Sequence, residues 1–219
     1  TVQVARSFLL LIGAGLFAKT LAKLKDTRTG FENTRTLVSF QVDPAKNGYT
    51  TARTRHFYAE VLHEIRAVPG VKSAAYVMWP LLNGHEWDLT VTVEGYRTEQ
   101  GEDMQAYYNL VSPEYWKTSG IPLLQGRDFD ERDRVDGGDD PQPWTVAIVN
   151  REFAQHFFGC LDPIGRHIGC CHGSDTKSSI RIIGVVENSL FGGPRAGIRR
   201  QVFLPYLESA TPAAVTFYI

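Results

Sequence analysis

Residues 111–129, Val-Ser-Pro-Glu-Tyr-Trp-Lys-Thr-Ser-Gly-Ile-Pro-Leu-Leu-Gln-Gly-Arg-Asp-Phe, constrain the chain more than any other stretch. Ser112 suits an N-cap and Pro113 the first helical position, where a missing N–H is harmless. Glu114 in the first turn favours the positive end of the helix dipole, and Gly120 can end the helix in the left-handed conformation. Such a short helix presents Tyr115 and Trp116 to a packing surface. Pro122 pushes Ile121 out of the helical region, so residues 121–124 leave as an extended segment and residues 125–129 turn. Nothing in the stretch is chemically reactive.

Around this stretch, strands and helices alternate. Residues 37–42 read as a strand, followed by the turn signals Asp43-Pro44 and Asn47-Gly48. From Thr51 to Ala67 apolar residues recur at helical spacing, with Phe57, Val61 and Ile65 on one line and Tyr58 and Leu62 beside it. Pro69-Gly70 stops that helix and residues 71–78 return as a strand, completing a β-α-β unit. His56 and His63 sit on the helix seven apart and are read as facing solvent. Further strands are expected at 89–93, 104–111, 144–149, 180–186, 202–204 and 214–219. Asn150 can cap a helix over 151–158 whose buried line carries Phe153 and Phe157.

The order of these pieces resembles the extracytoplasmic domain of MacB-type ABC transporter permeases, whose membrane part is FtsX-like. Their pattern is a hydrophobic strand, then Ser-Pro-x-Tyr-(Phe/Trp)-x-x-x-Gly-Ile-x-Leu-x-x-Gly-Arg-x-Phe, which residues 112–129 follow. Val-Ala-Ile-Val-Asn at 146–150, Asp-Pro-Ile-Gly-Arg at 162–166, Ile-Ile-Gly-Val-Val at 182–186 and Val-Phe-Leu-Pro-Tyr at 202–206 come next in the same order. The resemblance covers residues 4 to 219. It implies an α+β fold: a porter-like split β-α-β subdomain from residues 34–86 plus 199–219, and an inserted mostly-β subdomain from 87–198. In that family a second β-α-β half follows the last strand, which implies that this sequence is a piece of a longer permease.

Residues 7–18 form a run of twelve without charge, between Arg6 and Lys19. A membrane span needs about 20 apolar residues. One reading is the truncated end of a transmembrane helix, with residues 1–33 as that end and a juxtamembrane linker; the resemblance places the first span here. A signal peptide is a second reading, but Leu16 sits where a cut after Ala18 needs a small residue. A third is a dinucleotide-binding fold, because Gly13, Gly15 and Ala18 match G-x-G-x-x-A and Glu32 lies nearly 20 residues on. Residues 25–31 do not make the second strand that such a unit requires, so the truncated helix is preferred. Lys19, Lys23 and Lys25 lie on the C-terminal side, against the positive-inside tendency.

A net charge of −1 gives no reason to expect nucleic acid. Asp128, Asp130, Glu131, Asp133, Asp136, Asp139 and Asp140 invite a calcium reading. A twelve-residue loop counted from Asp128, however, has Asp133 where glycine is needed and Asp139 where glutamate is. A mobile, solvated loop is expected instead. Cys160, Cys170, Cys171, His167 and His172 lack the paired spacing of a zinc site. In an oxidising compartment Cys160 could pair with Cys170 or with Cys171, Cys160–Cys171 being the pairing retained, while three reduced thiols remain open; the family pattern has no cysteine here. Ser174 and Lys177 match S-x-x-K without its S-D-N and K-T-G partners. No P-loop is present, so the chain cannot hydrolyse ATP by that route.

The expectation is a non-catalytic periplasmic domain of a permease in the inner membrane, without cofactor or metal. The resemblance implies its partners: membrane helices of the same permease, a cytoplasmic ATPase subunit or domain, a second copy in a homodimer, and a periplasmic accessory protein. Two other functions compete. One is an extracytoplasmic ligand-binding sensor, with residues 79–85, Tyr107 and Tyr108 lining a pocket. The other is a NAD-dependent oxidoreductase using Gly13, Gly15 and Ala18.

Overall fold

Among the described residues ten strands form one continuous sheet, and six of them close into a ring. The computed structural model describes residues 2–25, 30–31, 36–80, 83–84, 87–133, 144–170, 176–193, 197–206 and 214–219. Its elements run α1 (Val2–Lys25), β1 (Ser39–Val42), α2 (Thr51–Ala67), β2 (Ala75–Val77), β3 (Asp88–Val93), β4 (Gln105–Val111) and α3 (Tyr115–Ser119). They continue with β5 (Leu123–Gly126), β6 (Val146–Asn150), α4 (Arg151–Phe158), β7 (His167–Cys170), β8 (Ile180–Val186), β9 (Gln201–Pro205) and β10 (Val215–Tyr218). The fold class is α+β.

Six strands pair in a ring, in the order β4, β3, β7, β8, β6, β9 and back to β4. The β6–β8 and β4–β9 ladders are parallel and the others antiparallel. Strands buried on both faces read as near-continuous apolar runs, and every residue of β6 and β9 is buried, the polar Asn150 and Gln201 at their ends being hydrogen-bonded. Outside the ring, β1 and β2 lie parallel with β10 antiparallel between them, and α2 connects the two. This is the split β-α-β arrangement. It joins the ring through β2, whose Val77 pairs with Val111 of β4. The stretch from residue 199 therefore divides: β10 closes the outer layer, whereas β9 is a ring strand.

Alternation along each strand sorts the apolar residues into two cores on opposite faces. Ala147 and Val149 of β6 face the core that receives Tyr58 of α2 and Phe153 and Phe157 of α4. Val146 and Ile148 face the second core, with Tyr115 and Trp116 of α3, Phe191 and Phe203. The helical line read for α2 is offset by one position. Thr54, Tyr58 and Leu62 form its buried stripe, while Phe57, Val61 and Ile65 are half-buried at its margin. His56 and His63 face solvent.

Two readings of the N-terminal segment meet a single long helix. Gly13, Gly15 and Ala18 all lie inside α1, so no strand-turn-helix exists there to cradle a pyrophosphate, and the dinucleotide reading fails. Large apolar side chains including Phe8, Leu10, Ile12 and Phe17 are exposed around α1. Among the described residues no helix is long and apolar enough to cross a membrane.

Candidate functional site

The segment after β4 is held by hydrogen bonds that its sequence only half reveals. Ser112 does not cap α3. It extends the β2–β4 ladder instead: its N–H donates to the Tyr76 carbonyl at 2.9 Å, and its hydroxyl accepts the Tyr76 N–H at 2.8 Å. The N-cap is Glu114, whose φ of 65° is the left-handed conformation that side chains disfavour. Two contacts hold it there. Its N–H donates to Asp128 Oδ2 at 3.1 Å, and its carboxylate meets Arg66 of α2 at 3.5 Å. Gly120 ends α3 with φ 75°, as its position requires.

Beyond α3 the chain crosses β8 at very short range. Gly126 pairs with Gly184, and the Arg127 N–H donates to the Ile183 carbonyl at 3.0 Å. The turn that follows is tied down rather than solvated over its described part. Arg127 makes a bidentate pair with Asp133 at 2.7 Å on both oxygens, and also reaches Asp130 at 3.3 Å. Asp133 is only 5% exposed, so this carboxylate has exchanged water for the guanidinium. Arg132 and its own N–H hold the exposed Asp130 carboxyl well below the usual carboxylate range. The mobile loop read from the acidic run is thus corrected for residues 128–133, while residues 134–143 lie outside the described residues.

Asp128 behaves oppositely. Burial pushes its carboxyl up to about 6 from 3.8, the Glu114 carboxylate adds to the rise, and the Phe129 and Glu114 N–H groups oppose it. The Trp116 indole N–H counts on the same side, although it has no hydrogen bond of ordinary geometry. A carboxyl whose pKa is higher folded than unfolded adds stability that is fully present below about pH 3.8. That contribution is lost as the pH rises through about 6. After allowance for screening at its exposed edge, the loss is about 2 kcal/mol. Urea unfolding of wild type and Asp128→Asn at pH 4, 5, 6 and 7 reads it: the wild-type advantage should shrink by more than half of that amount between pH 4 and 6 and by most of it by pH 7. A constant difference would refute the assignment.

Three junctions tie together the ring, the outer layer, α4 and residues 30–31. Asn109 of β4 sits where that strand passes from β3 to β2. Its side chain accepts the Trp79 and Leu110 N–H groups and donates to the Trp79 carbonyl at 2.7 Å. Asn150 caps α4 through the Phe153 N–H at 3.0 Å, accepts the Gln201 N–H at 2.9 Å and donates to the Arg199 carbonyl at 2.7 Å. Gly30 lies so close to the backbone of Asn188 and Ser189 that an added Cβ would stand 2.7 Å from each, and Phe31 packs against the second core beside it. Asn188 in turn accepts the Glu152 N–H of α4 at 2.8 Å. Among the described residues these junctions gather no nucleophile, base and oxyanion donor at one point.

The sequence profile of the MacB-like periplasmic core domain matches residues 6–218. The chain belongs to this family. Two solved structures resemble the MacB-like domain. One is the extracellular domain of the noncanonical ABC-type transporter YknZ from Gram-positive bacteria, at 16% identity and a TM-score of 0.48, covering 84% of this chain and 83% of that one. The other is the periplasmic region of MacB from Actinobacillus actinomycetemcomitans, at 16% identity and a TM-score of 0.47, covering 90% and 79%. The search of curated proteins gave no match. The family is one of periplasmic core domains, which implies a periplasmic location.

The remaining candidate residues of the MacB-like domain are scattered. Cys160 is an exposed free thiol, so the cross-link read for it is not formed; Cys170 is disulfide-bonded, and Cys171 lies outside the described residues. His172 and Ser174 lie outside them too. The His167 ring binds the Glu94 carboxylate at 2.9 Å, and no group of three metal-ligating side chains occurs among the described residues. Tyr108 is wholly buried and Tyr107 packs on Phe191, and neither lines the cleft of about 300 Å³ beside Trp79, Pro80 and Asn83, so the sensor reading is not favoured. Sequence reasoning missed Asn109, Gly184 and the Arg66–Glu114 pair. Only Gly184 carried a signal, as the glycine interrupting an apolar strand.

Proposed function

We propose that the MacB-like domain relays ATP-driven movement of membrane helices to the periplasmic side, where it acts on a substrate or an accessory protein. A separate or fused cytoplasmic ATPase would drive it, in a permease working as a homodimer. Alpha-helix α1 would be the end of a membrane anchor, a role that suits apolar side chains exposed all round it. The observation that carries the relay is the seat of Gly30 on residues 188–189 and of Phe31 on the second core, in a sheet whose two parts share β4. Movement entering through the N-terminal segment would reach the ring and the outer layer together, as rigid-body displacement.

Gly30→Val tests this in the reconstituted full-length permease with its ATPase. The new side chain overlaps the Asn188 carbonyl and unseats residues 30 and 31, taking Phe31 from the margin of the second core. Transport should fall about tenfold with ATP hydrolysis within about twofold of wild type, a coupling loss on the order of 1–2 kcal/mol. Full transport by a variant shown to be unseated would sink the relay.

A further inference from the structure

A single nitrogen on α4 faces two neighbours that need opposite things from it. His156, in the last turn of α4, sets its Nε2 between Arg200, just before β9, and Glu102, in the connection from β3 to β4. Arg200 Nη1 stands 3.1 Å away and Glu102 Oε1 3.4 Å away. A guanidinium can only donate and a carboxylate can only accept. An unprotonated Nε2 therefore serves Arg200, and a protonated one serves Glu102. No protonation state of this nitrogen satisfies both.

Both neighbours are held in place without the histidine. Arg200 is 14% exposed and donates to the Asp103 carbonyl at 2.6 Å and to its carboxylate at 2.7 Å. Glu102 is 17% exposed; its Oε1 accepts the Tyr96 hydroxyl and its Oε2 the Glu99 N–H at 2.9 Å. The Tyr96 hydroxyl and the Glu99 N–H hold the Glu102 carboxyl below the usual carboxylate range, so it stays ionised while a histidine titrates. Phe157 meets the His156 ring edge-on, with centroids 4.5 Å apart, and restricts its rotation. The ring is still 35% exposed, so solvent protons reach it.

The charged and titratable groups around it come from three elements. Arg200 stands at the entry to β9, and the β3–β4 connection brings Glu102, Asp103 and Tyr96, with Glu99 beside Tyr96. Glu152 lies one turn earlier on α4 itself. Glu102 and the C-terminal end of the helix dipole favour a charged ring, and Arg200 opposes it. We infer that His156 is a pH-set choice of partner. Unprotonated, it ties α4 to Arg200 at the entry to β9; protonated by solvent, it releases Arg200 and ties α4 to Glu102 in the β3–β4 connection. The inference stands apart from the relay, because it concerns how α4 is held whatever the domain transmits.

The test is nitrogen-15 NMR of the histidine rings in the 219-residue chain at about pH 8 and about pH 5. At the higher pH the His156 proton should sit on Nδ1, leaving Nε2 as a hydrogen-bonded acceptor. Arg200→Met removes the donor and keeps a long side chain over Phe157, so the tautomer ratio should move toward Nε2–H by about tenfold. At the lower pH the Nε2 proton should exchange with water about fivefold more slowly in wild type than in Glu102→Gln, which keeps an acceptor but loses the charge. An Nε2–H tautomer in wild type at the higher pH overturns the inference, and needs no variant to be read. So does a tautomer ratio that Arg200→Met leaves unchanged, or a protection that Glu102→Gln leaves unchanged.

Discussion

Gly126→Ala is expected to be the most damaging single methyl in the domain. The left-handed φ of 75° already disfavours a side chain. The added Cβ would also overlap the Ile183 carbonyl oxygen and stand 2.9 Å from the Gly184 Cα. Backbone cannot rotate away as a side-chain tip can. Either β5 leaves β8, or the Arg127–Ile183 hydrogen bond and the Arg127–Asp133 clamp move with it. A loss of about 3–4 kcal/mol follows, a drop of roughly 6–15 °C in melting temperature for a chain of this size. Gly184→Ala probes the same crossing from the other side, because its Cβ would stand 2.7 Å from the Arg127 carbonyl and 3.2 Å from Ile148 Cγ1. A melting temperature within about 2 °C of wild type for Gly126→Ala would show that the crossing is not tight.

Asn150→Ala should rank second. Its amide accepts from Phe153 and Gln201 and donates to Arg199, in a site with no exposure. Removing it strands two backbone N–H groups and one carbonyl where water does not reach. A lost cap is worth about 1 kcal/mol, and each buried orphan adds about 1–3. About 3 kcal/mol in urea unfolding is the expected total. Asn150→Asp should fall between, since it keeps both acceptor bonds but sets a carboxylate against the Arg199 carbonyl. Were Asn150→Ala no worse than Asn150→Asp, the donor and acceptor bonds would not be what holds α4 to β9.

The chain itself determined the elements whose signals are local. Thr51–Ala67 and Ile180–Val186 were legible from end to end, the first from its 3.6-residue period and the second from a near-continuous apolar run. Asn150 and Gly120 were legible as cap and stop because those roles depend on neighbours within four residues. The five ordered motifs were sufficient to place the chain among MacB-like periplasmic core domains, as the match over residues 6–218 bears out. A motif records which residues recur without saying what they touch, however. The Gly-Arg of 126–127 was visible as a pattern and silent as a crossing.

Tertiary structure decided whatever depends on distant partners. Ser112 suits a helix cap by its neighbours, and pairing with Tyr76, 36 residues earlier, took it out of that role. The acidic run looked solvated because the Arg127–Asp133 geometry cannot be read from composition. Gly13, Gly15 and Ala18 satisfied a nucleotide fingerprint in letters while the backbone through them coiled as α1, since a short apolar run suits strand and helix alike. Likewise β9 and β10 read as one pair of closing strands, yet parallel pairing with β4 drew β9 into the ring and left β10 to the outer layer. Strand pairing joins residues far apart in the chain through backbone groups that every residue shares, so the order of letters leaves it open.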